Sequence, residues 1–263
     1  MIRELLVLSA FLVPFLAPAA EPQPLPRAHA HNDYEHPRPL FDALACGFCS
    51  VEADIWLRQD RLLVGHTPRD LKPQRTLEKL YLEPLRQRAK ANGGKIYRNG
   101  PEFYLLIDIK SDAQETYAAL TKVLEQYADI LTVIRDGRVQ TQAVTVVISG
   151  NRDIATLRQQ AVRYAMIDGR PSDLEGDAPN HLIPWISQSW RILFRWDGTG
   201  EMPAAERTKL QDLVTKAHKQ GRKVRLWATP EKETVWKELL AAGVDFINTD
   251  QLPQLEKFLR ANP

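Results

Sequence analysis

Histidine and carboxylate side chains recur near the start of the chain in a spacing that suits metal chemistry. The motifs that carry them are, in order, His29-Ala30-His31-Asn32, Glu52-Ala53-Asp54, Gly65-His66 and Asp108-Ile109-Lys110. Side chains alternate along a strand, so Glu52 and Asp54 point to the same side, where two carboxylates repel each other unless a cation lies between them. The pattern therefore predicts a divalent metal bound by Glu52, Asp54 and Asp108.

The types of ligand narrow the choice of metal. Three carboxylates together with an amide oxygen suit a hard cation, Mg²⁺ or Ca²⁺, better than zinc. A Glu-x-Asp pair taken alone is more often a solvated strand face than a metal site. The ordered recurrence of histidine and acidic motifs at successive strand ends is hard to explain by packing, and it favours a catalytic site.

The elements that carry these motifs alternate between apolar runs and segments of helical period, which is typical of a parallel sheet covered by helices. Strands are predicted at residues 28–31, 51–56, 103–109, 144–149, 164–168, 183–187, 224–228 and 244–248, and helices at 39–45, 77–92, 112–127, 153–161, 203–220 and 231–242. Eight strands in this order predict a single (β/α)₈ TIM barrel, with its site at the carboxyl ends of the strands. Two connections depart from this alternation of strands and helices. Residues 62–66 predict an additional short strand, and residues 169–181 predict an irregular loop.

The first part of the chain differs in composition from the rest. Arg3 precedes an apolar run that ends at Ala20, a pattern typical of a secretory signal peptide. The run is shorter than the ~20 residues that a bilayer-spanning helix needs, and it contains prolines. We therefore expect residues 1–20 to be a cleaved signal peptide and residues 21–263 to form one barrel domain. The mature protein is then expected to be periplasmic or secreted.

Charge and cysteine content argue against two other classes of protein, nucleic-acid-binding proteins and redox enzymes. The 35 basic residues nearly balance the 33 acidic ones, and the formal charge of +2 gives no reason to predict a nucleic-acid partner. The two cysteines of the 263-residue chain, Cys46 and Cys49, form a Cys-x-x-Cys string. A redox pair usually begins a helix after a strand, whereas these residues precede a predicted strand, so we interpret them as structural.

Longer strings around these residues resemble the phospholipase C-like phosphodiesterases. This superfamily includes glycerophosphodiester phosphodiesterases, phosphatidylinositol-specific phospholipases C and spider-venom type phospholipases D. The similar strings lie at residues 31–34, 47–56, 64–67, 107–110, 224–229 and 242–250, within a likeness that extends over residues 28–259. The overall pattern, which includes Asp168-Gly169-Arg170, is most similar to the "altered inheritance of mitochondria" phospholipase-like branch known from yeast.

The resemblance implies roles for individual residues. The residues implied as metal ligands are Glu52, Asp54, Asp108 and Asn32. His31 and His66 correspond to the superfamily's acid/base pair, and Lys110 to a lysine that contacts phosphate. We therefore expect cleavage of a phosphodiester in which one histidine takes a proton from the nucleophile and the other donates one to the leaving oxygen. Our hypothesis is that His31 is the base and His66 the acid.

One departure from the superfamily concerns the substrate. The His-Arg-Gly string of glycerophosphodiesterases is replaced here by His31-Asn32-Asp33, which lacks the arginine that would hold phosphate. Arg152, after the fourth strand, and Arg170, after the fifth, are candidate replacements. Trp227 is expected either to form an apolar wall of the substrate site or to pack within the barrel. We expect a monomer acting on a glycerophosphodiester or phospholipid-type substrate, with at most peripheral membrane contact.

Two other interpretations stay open. A metal-dependent amidohydrolase also begins its site with a His-x-His motif, here His29 and His31, but it needs further histidines on later strands. The histidines after His66 are His181 and His218, which lie in a predicted irregular loop and a charged helix. The second alternative is a barrel that binds phosphate esters without turnover, although no ligand or proton-transfer group is missing from this sequence.

Overall fold

The computed structural model describes residues 21–263 of the chain. The strands are β1 (Leu25–Ala30), β2 (Phe48–Arg58), β3 (Arg61–Val64), β4 (Phe103–Ile109), β5 (Val133–Arg135), β6 (Arg138–Gln140), β7 (Val144–Gly150), β8 (Val162–Arg163), β9 (Ala165–Gly169), β10 (Trp185–Ser189), β11 (Lys223–Trp227) and β12 (Phe246–Thr249). The α-helices are α1 (Phe41–Ala45), α2 (Glu83–Ala91), α3 (Ala113–Glu125), α4 (Ile154–Gln159), α5 (Trp190–Leu193), α6 (Ala204–Lys219), α7 (Glu233–Ala241) and α8 (Leu252–Ala261). A π-helical turn, Glu78–Leu82, leads directly into α2. The predicted signal peptide, residues 1–20, lies outside the described residues.

Parallel strands close into a barrel. Their order around the ring is β1, β2, β4, β7, β9, β10, β11 and β12, and β12 pairs with β1 to complete it. This arrangement confirms the (β/α)₈ barrel predicted from the sequence. Strand β3 runs antiparallel to β2, which confirms the short additional strand predicted after the second barrel strand.

Side chains along β2 point alternately to the layer under the helices and into the barrel interior. Val51, Ala53 and Ile55 are fully buried and belong to the large apolar cluster that also contains the inward faces of the helices. Successive side chains on a strand point to opposite faces, so Glu52 and Asp54 point into the barrel. Both are buried there, which makes their electrostatic environment decisive.

A separate apolar cluster fills the amino-terminal end of the barrel interior. Its buried members are Leu106, Val147, Trp185 and Phe246. The rings of Trp185 and Phe246 pack with their centroids 4.4 Å apart. Because this end is closed by apolar packing, the polar side chains of the interior gather toward the carboxyl ends of the strands, where barrel sites are built.

Some elements differ from the sequence-based expectation. A small second sheet, in the order β6, β5 and β8, was not predicted, and neither was helix α8, which covers β1 after the last strand. The connection over residues 169–181 contains only a 3₁₀ turn, Pro171–Leu174, as the irregular loop predicted. Among the helices of residues 21–263, none is both long and apolar enough to cross a bilayer.

The two cysteines are separated by two residues in the chain and lie in different settings. Cys46 follows α1, and Cys49 lies inside β2 rather than before it. Both are free, and burial raises the pKa of each thiol to about 12. A thiol with so high a pKa is a poor nucleophile at neutral pH, which supports the structural interpretation.

Candidate active site

Three carboxylates, Glu52, Asp54 and Asp108, meet toward the carboxyl end of the barrel interior and are called here the carboxylate cluster. Asp54 on β2 lies level with Asp108 on the neighbouring strand β4. One oxygen of each of the three carboxylates lies within 4.8 Å of the other two. Ligands held 2.0–2.6 Å from one ion are at most about 5 Å apart, so this spacing fits a single cation such as Mg²⁺ or Ca²⁺.

Hydrogen bonding leaves part of the carboxylate cluster unsatisfied. Within residues 21–263, Asp54 Oδ1 is buried and accepts no hydrogen bond, and the contact of the buried Asp108 Oδ1 is its ion pair with Lys110. Burial raises the pKa of both carboxyls, that of Asp108 to about 6, and the charge of Glu52 adds to the effect on Asp54. Lys110 Nζ opposes this rise from ion-pair distances of 3.1 Å to Asp54 and 3.2 Å to Asp108. A divalent cation would supply the countercharge that such buried groups need.

Glu52 differs from the two aspartates because it already has a cationic partner. Arg225 Nη1 of β11 lies 2.5 Å from Glu52 Oε2. Burial alone would raise the pKa of Glu52, but the guanidinium outweighs it and holds the pKa well below its usual range. Glu52 is therefore ionised at neutral pH. Its contacts with Arg225 and His29 within the described residues are made by Oε2, which leaves Oε1 for a cation.

His29 lies fully buried beside this ion pair. Its Nε2 is 2.8 Å from Arg225 Nη1, and its Nδ1 is 2.7 Å from Ser50 Oγ. Burial, followed by the charge of Arg225, lowers the pKa of His29 to about 4. Because Arg225 donates to Nε2, the ring proton is assigned to Nδ1, and neither nitrogen is left to bind a metal. His181 and His218 pair with residues outside the site, so the geometry disfavours the amidohydrolase interpretation.

His31 follows β1 and is oriented by the residue that follows the last strand. Its Nδ1 lies 2.7 Å from Asp250 Oδ1, and the backbone N–H of Asp250 donates to Glu231 Oε1 at 2.9 Å. Burial alone would lower the pKa of His31. The hydrogen bond to Asp250 and the negative charge of Glu52 outweigh burial and raise the pKa. With Nδ1 engaged, Nε2 is the nitrogen of His31 available for proton transfer.

His66 is joined to the carboxylate cluster by the hydroxyl of Tyr34. Tyr34 Oη lies 2.7 Å from Asp54 Oδ2, 2.9 Å from Asn32 Oδ1 and 3.1 Å from His66 Nδ1. His66 Nδ1 is also 3.1 Å from Asp54 Oδ2. Asn32 adopts a left-handed backbone with φ of 44°, which asparagine tolerates better than most residues. The structure therefore brings both Asn32 and His66 to the edge of the carboxylate cluster.

The two candidate phosphate-binding arginines lie on neighbouring strand ends, beyond Asp108. Arg152 follows β7 and Arg170 follows β9, and Nη1 of each donates to the backbone carbonyl of Asp168. They are therefore close to each other, and Arg170 Nη2 also lies 3.5 Å from Ser149 Oγ on β7, level with Asp108. Trp227, the last residue of β11, is half-buried at the rim, level with Ser189 of β10. That position suits either a wall of the substrate site or packing of the rim.

Several site residues were missed by reasoning from the sequence, namely Tyr34, Asp250, Arg225 and Gly150. Asp250 directly follows β12, and a carboxylate at that strand end was a usable signal. Gly150 has φ of 67°, and a Cβ there would lie 2.1 Å from Asp108 Oδ1. Any larger residue at this position would displace the carboxylate. Tyr34 and Arg225 gave no such signal, because their role depends on contacts between distant strands.

Two family models match this chain. Residues 20–168 match the model described as an AIM6-like phosphodiesterase domain, and residues 223–253 match that of the glycerophosphoryl diester phosphodiesterase family. A relative in Eremothecium gossypii, altered inheritance of mitochondria protein 6, is 33% identical over 89% of this chain and 69% of its own length. A homolog of that protein in Arthroderma benhamiae is 28% identical over 87% of this chain and 82% of its own length.

Solved structures of other proteins share the barrel. A glycerophosphodiester phosphodiesterase from Parabacteroides distasonis is 15% identical, with a TM-score of 0.54 over 90% of this chain and 97% of that one. A calcium-dependent phosphoinositol-specific phospholipase C from a Pseudomonas species is 11% identical, with a TM-score of 0.59 over 90% of this chain and 94% of that one. At these identities the likeness establishes the fold, and the site must be argued from its own residues.

Proposed function

We propose that this chain, which belongs to the AIM6-like phosphodiesterase family, hydrolyses phosphodiesters with the help of one divalent cation, Mg²⁺ or Ca²⁺. The observation that carries the proposal is the carboxylate cluster, with ligand atoms within 4.8 Å of one another and a buried Asp54 oxygen that accepts no hydrogen bond among the described residues. Two histidines flank the cluster at the mouth of a phosphodiesterase-type barrel. These are the parts that metal-assisted phosphodiester cleavage requires.

The residues proposed to hold the cation are Glu52, Asp54 and Asp108, with the amide oxygen of Asn32 as a further ligand. When bound, the cation would neutralise charge on the phosphoryl oxygens and lower the pKa of an attacking hydroxyl. Lys110 forms ion pairs with Asp54 and Asp108 and would place a fixed positive charge beside the phosphoryl group.

The two histidines are proposed to move protons at opposite ends of the displacement. His31 is proposed as the base, because Asp250 engages its Nδ1 and raises its pKa, which makes Nε2 a better proton acceptor. His66 is proposed as the acid, since its side chain is 52% exposed and faces the solvent into which an alcohol can leave. The nucleophile, a hydroxyl of the substrate or water, would give its proton to His31 Nε2 and form the new P–O bond, while the P–O bond to the leaving oxygen breaks and that oxygen takes a proton from His66.

The substrate class is proposed as a glycerophosphodiester or phospholipid-type phosphodiester. This is supported by the names of the two proteins that share the fold, a glycerophosphodiester phosphodiesterase and a phospholipase C. The calcium dependence in the second name also supports a divalent cation. From the N-terminal apolar run we also propose that the protein is exported. The nearly balanced charge supports the proposal that it has no nucleic-acid partner. We further propose that it is a monomer with at most peripheral membrane contact.

The test is hydrolysis of bis(p-nitrophenyl) phosphate by the purified protein, first with EDTA and then after Mg²⁺ or Ca²⁺ is returned. We expect EDTA to abolish hydrolysis and one of the two cations to restore it. Asp54→Asn should be inactive, and Asp60→Asn, the same change at an exposed turn, should keep native activity. Hydrolysis that survives EDTA would contradict the role of the metal. Absence of hydrolysis with either cation, on this diester and on a glycerophosphodiester, would favour a phosphate-ester-binding barrel.

A further inference from the structure

Asp33 is a buried acidic residue in the turn that carries part of the site. The turn is the 3₁₀ segment Asp33–Glu35, which directly follows His31 and Asn32 and contains Tyr34. The Tyr34 hydroxyl faces the carboxylate cluster, whereas the Asp33 carboxyl is 0% exposed and bonds to other segments of the chain. The proposed mechanism gives roles to His31 and Asn32 but none to Asp33, which lies next to them.

The Asp33 carboxyl joins the turn to two other segments through one oxygen. Its Oδ2 accepts a hydrogen bond from the backbone N–H of Leu40, at 2.5 Å, and one from the hydroxyl of Tyr81, at 2.8 Å. Oδ1 is buried and accepts no hydrogen bond within residues 21–263, and Asp33 belongs there to no group of three potential metal ligands. Burying a carboxyl with one unpaired oxygen costs free energy, and an apolar side chain would avoid that cost. The position therefore needs what the other oxygen, Oδ2, provides.

The backbone is unusual at each residue that Asp33 holds. Leu40 is fully buried and has φ of 66°. A left-handed backbone is unfavourable for so bulky a residue and persists only where the surrounding structure imposes it. Tyr81 is fully buried on the π-helical turn Glu78–Leu82, a conformation that is rare and is found frequently at functional sites. Both departures from ordinary backbone geometry bring a hydrogen-bond donor to Asp33 Oδ2.

Arg75 holds the same turn at the next residue. Its Nη2 donates a hydrogen bond to the backbone carbonyl of Tyr34. Within the turn, the Glu35 N–H donates to the carbonyl of Asn32 at 2.8 Å. With the carboxyl of Asp33 also fixed, the turn is held at two consecutive residues. Asn32 Oδ1 and Tyr34 Oη, which lie 2.9 Å apart, are therefore fixed together, and release of the turn would displace both.

We propose that Asp33 is a positioning residue, which holds the turn so that Asn32 and Tyr34 face the carboxylate cluster. The inference rests on the proposed function, in which the amide oxygen of Asn32 binds the cation. Asp33 also acts on His66, because the Tyr34 hydroxyl lies 3.1 Å from His66 Nδ1. Both donors to Asp33, a backbone N–H and a hydroxyl, are neutral, so the role depends on an acceptor oxygen rather than on a negative charge.

NMR of the metal-free protein tests this role without turnover. The ¹⁵N resonance of His66 Nδ1 is recorded in EDTA and assigned by its loss in His66→Gln. We expect Asp33→Ala to shift this resonance toward that of a solvent-exposed histidine, because the Tyr34 hydroxyl moves away from Nδ1. Asp33→Asn keeps an acceptor oxygen and should leave the resonance near its native value. An unmoved resonance in Asp33→Ala would overturn the proposal, and so would equal shifts in both variants.

Tyr81→Phe tests the same contact if Asp33→Ala does not fold. It keeps Asp33 in place and removes one of the two donors to its Oδ2. Tyr117→Phe on α3 is the matched control, since Tyr117 is also buried and its hydroxyl donates one hydrogen bond, to Gln160 Oε1 at 2.6 Å. Both changes should lower the melting temperature by a similar amount, and only Tyr81→Phe should shift the His66 resonance. A lower melting temperature in Tyr81→Phe with a native resonance would mean that the contact is only structural, which would overturn the proposal.

Turnover of bis(p-nitrophenyl) phosphate with cation present separates this inference from the proposed function. We expect Asp33→Ala to lower kcat/KM about 10²-fold, as misplaced groups in an active site do, and Asp33→Asn to remain within about threefold of native. Native kcat/KM in Asp33→Ala would refute the inference and leave hydrolysis standing. Absence of turnover in the native protein would refute hydrolysis, and the His66 resonance would then decide the role of Asp33.

Discussion

At the barrel mouth, the side formed by β2 and β4 and the side formed by β7, β9 and β10 use aspartate in opposite ways. Asp54 has a buried oxygen that accepts no hydrogen bond among the described residues, and the contact of the buried Asp108 Oδ1 is its ion pair with Lys110. Both oxygens of Asp168 accept hydrogen bonds, from two serines and an arginine. One side therefore holds carboxylate oxygens without hydrogen bonds, and on the other side Arg152 has guanidinium N–H groups that make no hydrogen bond to the described residues.

The difference shows that burial alone does not identify a metal ligand. A buried carboxylate whose oxygens are satisfied by the protein contributes to the scaffold, whereas one with a free oxygen needs a cation from solution. On this view the β2–β4 side is built for a cation and the β7–β9 side for an anion.

The strongest test of this difference between the two sides is to neutralise one aspartate on each side. Asp108→Asn should remove the cation and lower kcat/KM by at least about 10⁴-fold, because a bound cation supplies several kcal/mol of charge stabilisation in the transition state. Asp168→Asn should keep cation affinity and instead lower the free energy of unfolding by about 3 kcal/mol. Calorimetric titration of Mg²⁺ and Ca²⁺, with a melting curve for each variant, checks both expectations. Loss of cation binding in Asp168→Asn would show that the two sides are not distinct.

The division of labour between the histidines is tested by the leaving group. His31→Ala and His66→Ala should each cost about 10² to 10⁴ in rate on an alkyl diester, since each removes one proton transfer. On a nitrophenyl diester the leaving oxygen needs no proton, so His66→Ala should lose far less than His31→Ala. His218→Ala, at a half-exposed position on α6, serves as the control. Equal losses by both variants on both diesters would refute the assignment, and a large fall in melting temperature would indicate a structural role.

Asp250 is expected to act through His31, and its effect should be visible in the pH profile. A base must be unprotonated, so kcat/KM should fall as the pH drops through the pKa of His31, which is raised above 6.5. Asp250→Asn removes the negative charge that favours the imidazolium, so this acid limb should move to lower pH. The plateau value of kcat/KM should fall roughly tenfold, because the imidazole ring of His31 loses its orientation. Asp212→Asn, an exposed change on α6, is the control, and an unmoved limb would contradict the pairing.

The smallest effect is expected for Tyr34→Phe. This change removes one hydroxyl from between Asp54 and His66 and leaves every charge in place. We expect kcat to fall about three- to tenfold, in line with the loss of one hydrogen bond, with cation affinity within a similar factor of native. Tyr164→Phe, at a half-buried position away from the cluster, should show neither change. A drop in melting temperature without a change in kcat would indicate that the hydroxyl serves only packing.

The barrel and the carboxylate cluster were accessible from the sequence because both depend on local patterns. Apolar runs separated by helical periods predict the strands, and alternation along β2 is enough to place Glu52 and Asp54 on one face. The register of β2 against β4 then brings Asp108 level with Asp54, as successive parallel strands require. Each step involves residues on one strand or on adjacent strands.

The rest of the site depends on contacts that no local pattern specifies. Arg225 reaches Glu52 across the barrel interior, over a sequence separation of 173 residues. The same is true of the small sheet, in which Ile134 pairs with Arg163 through strands too short to carry a period. Helix α8 is different, because Leu255, Phe258 and Leu259 have helical spacing and were a signal that could have been used.

The hydrogen bond between His31 and Asp250 joins positions 219 residues apart, across the seam where β12 meets β1. A chain still being synthesised, or folded only through its early strands, would have its acidic ligands but no oriented base. Proton transfer would begin when the last strand docks and the ring closes. Orientation of the proposed base and completion of the barrel are thereby a single event.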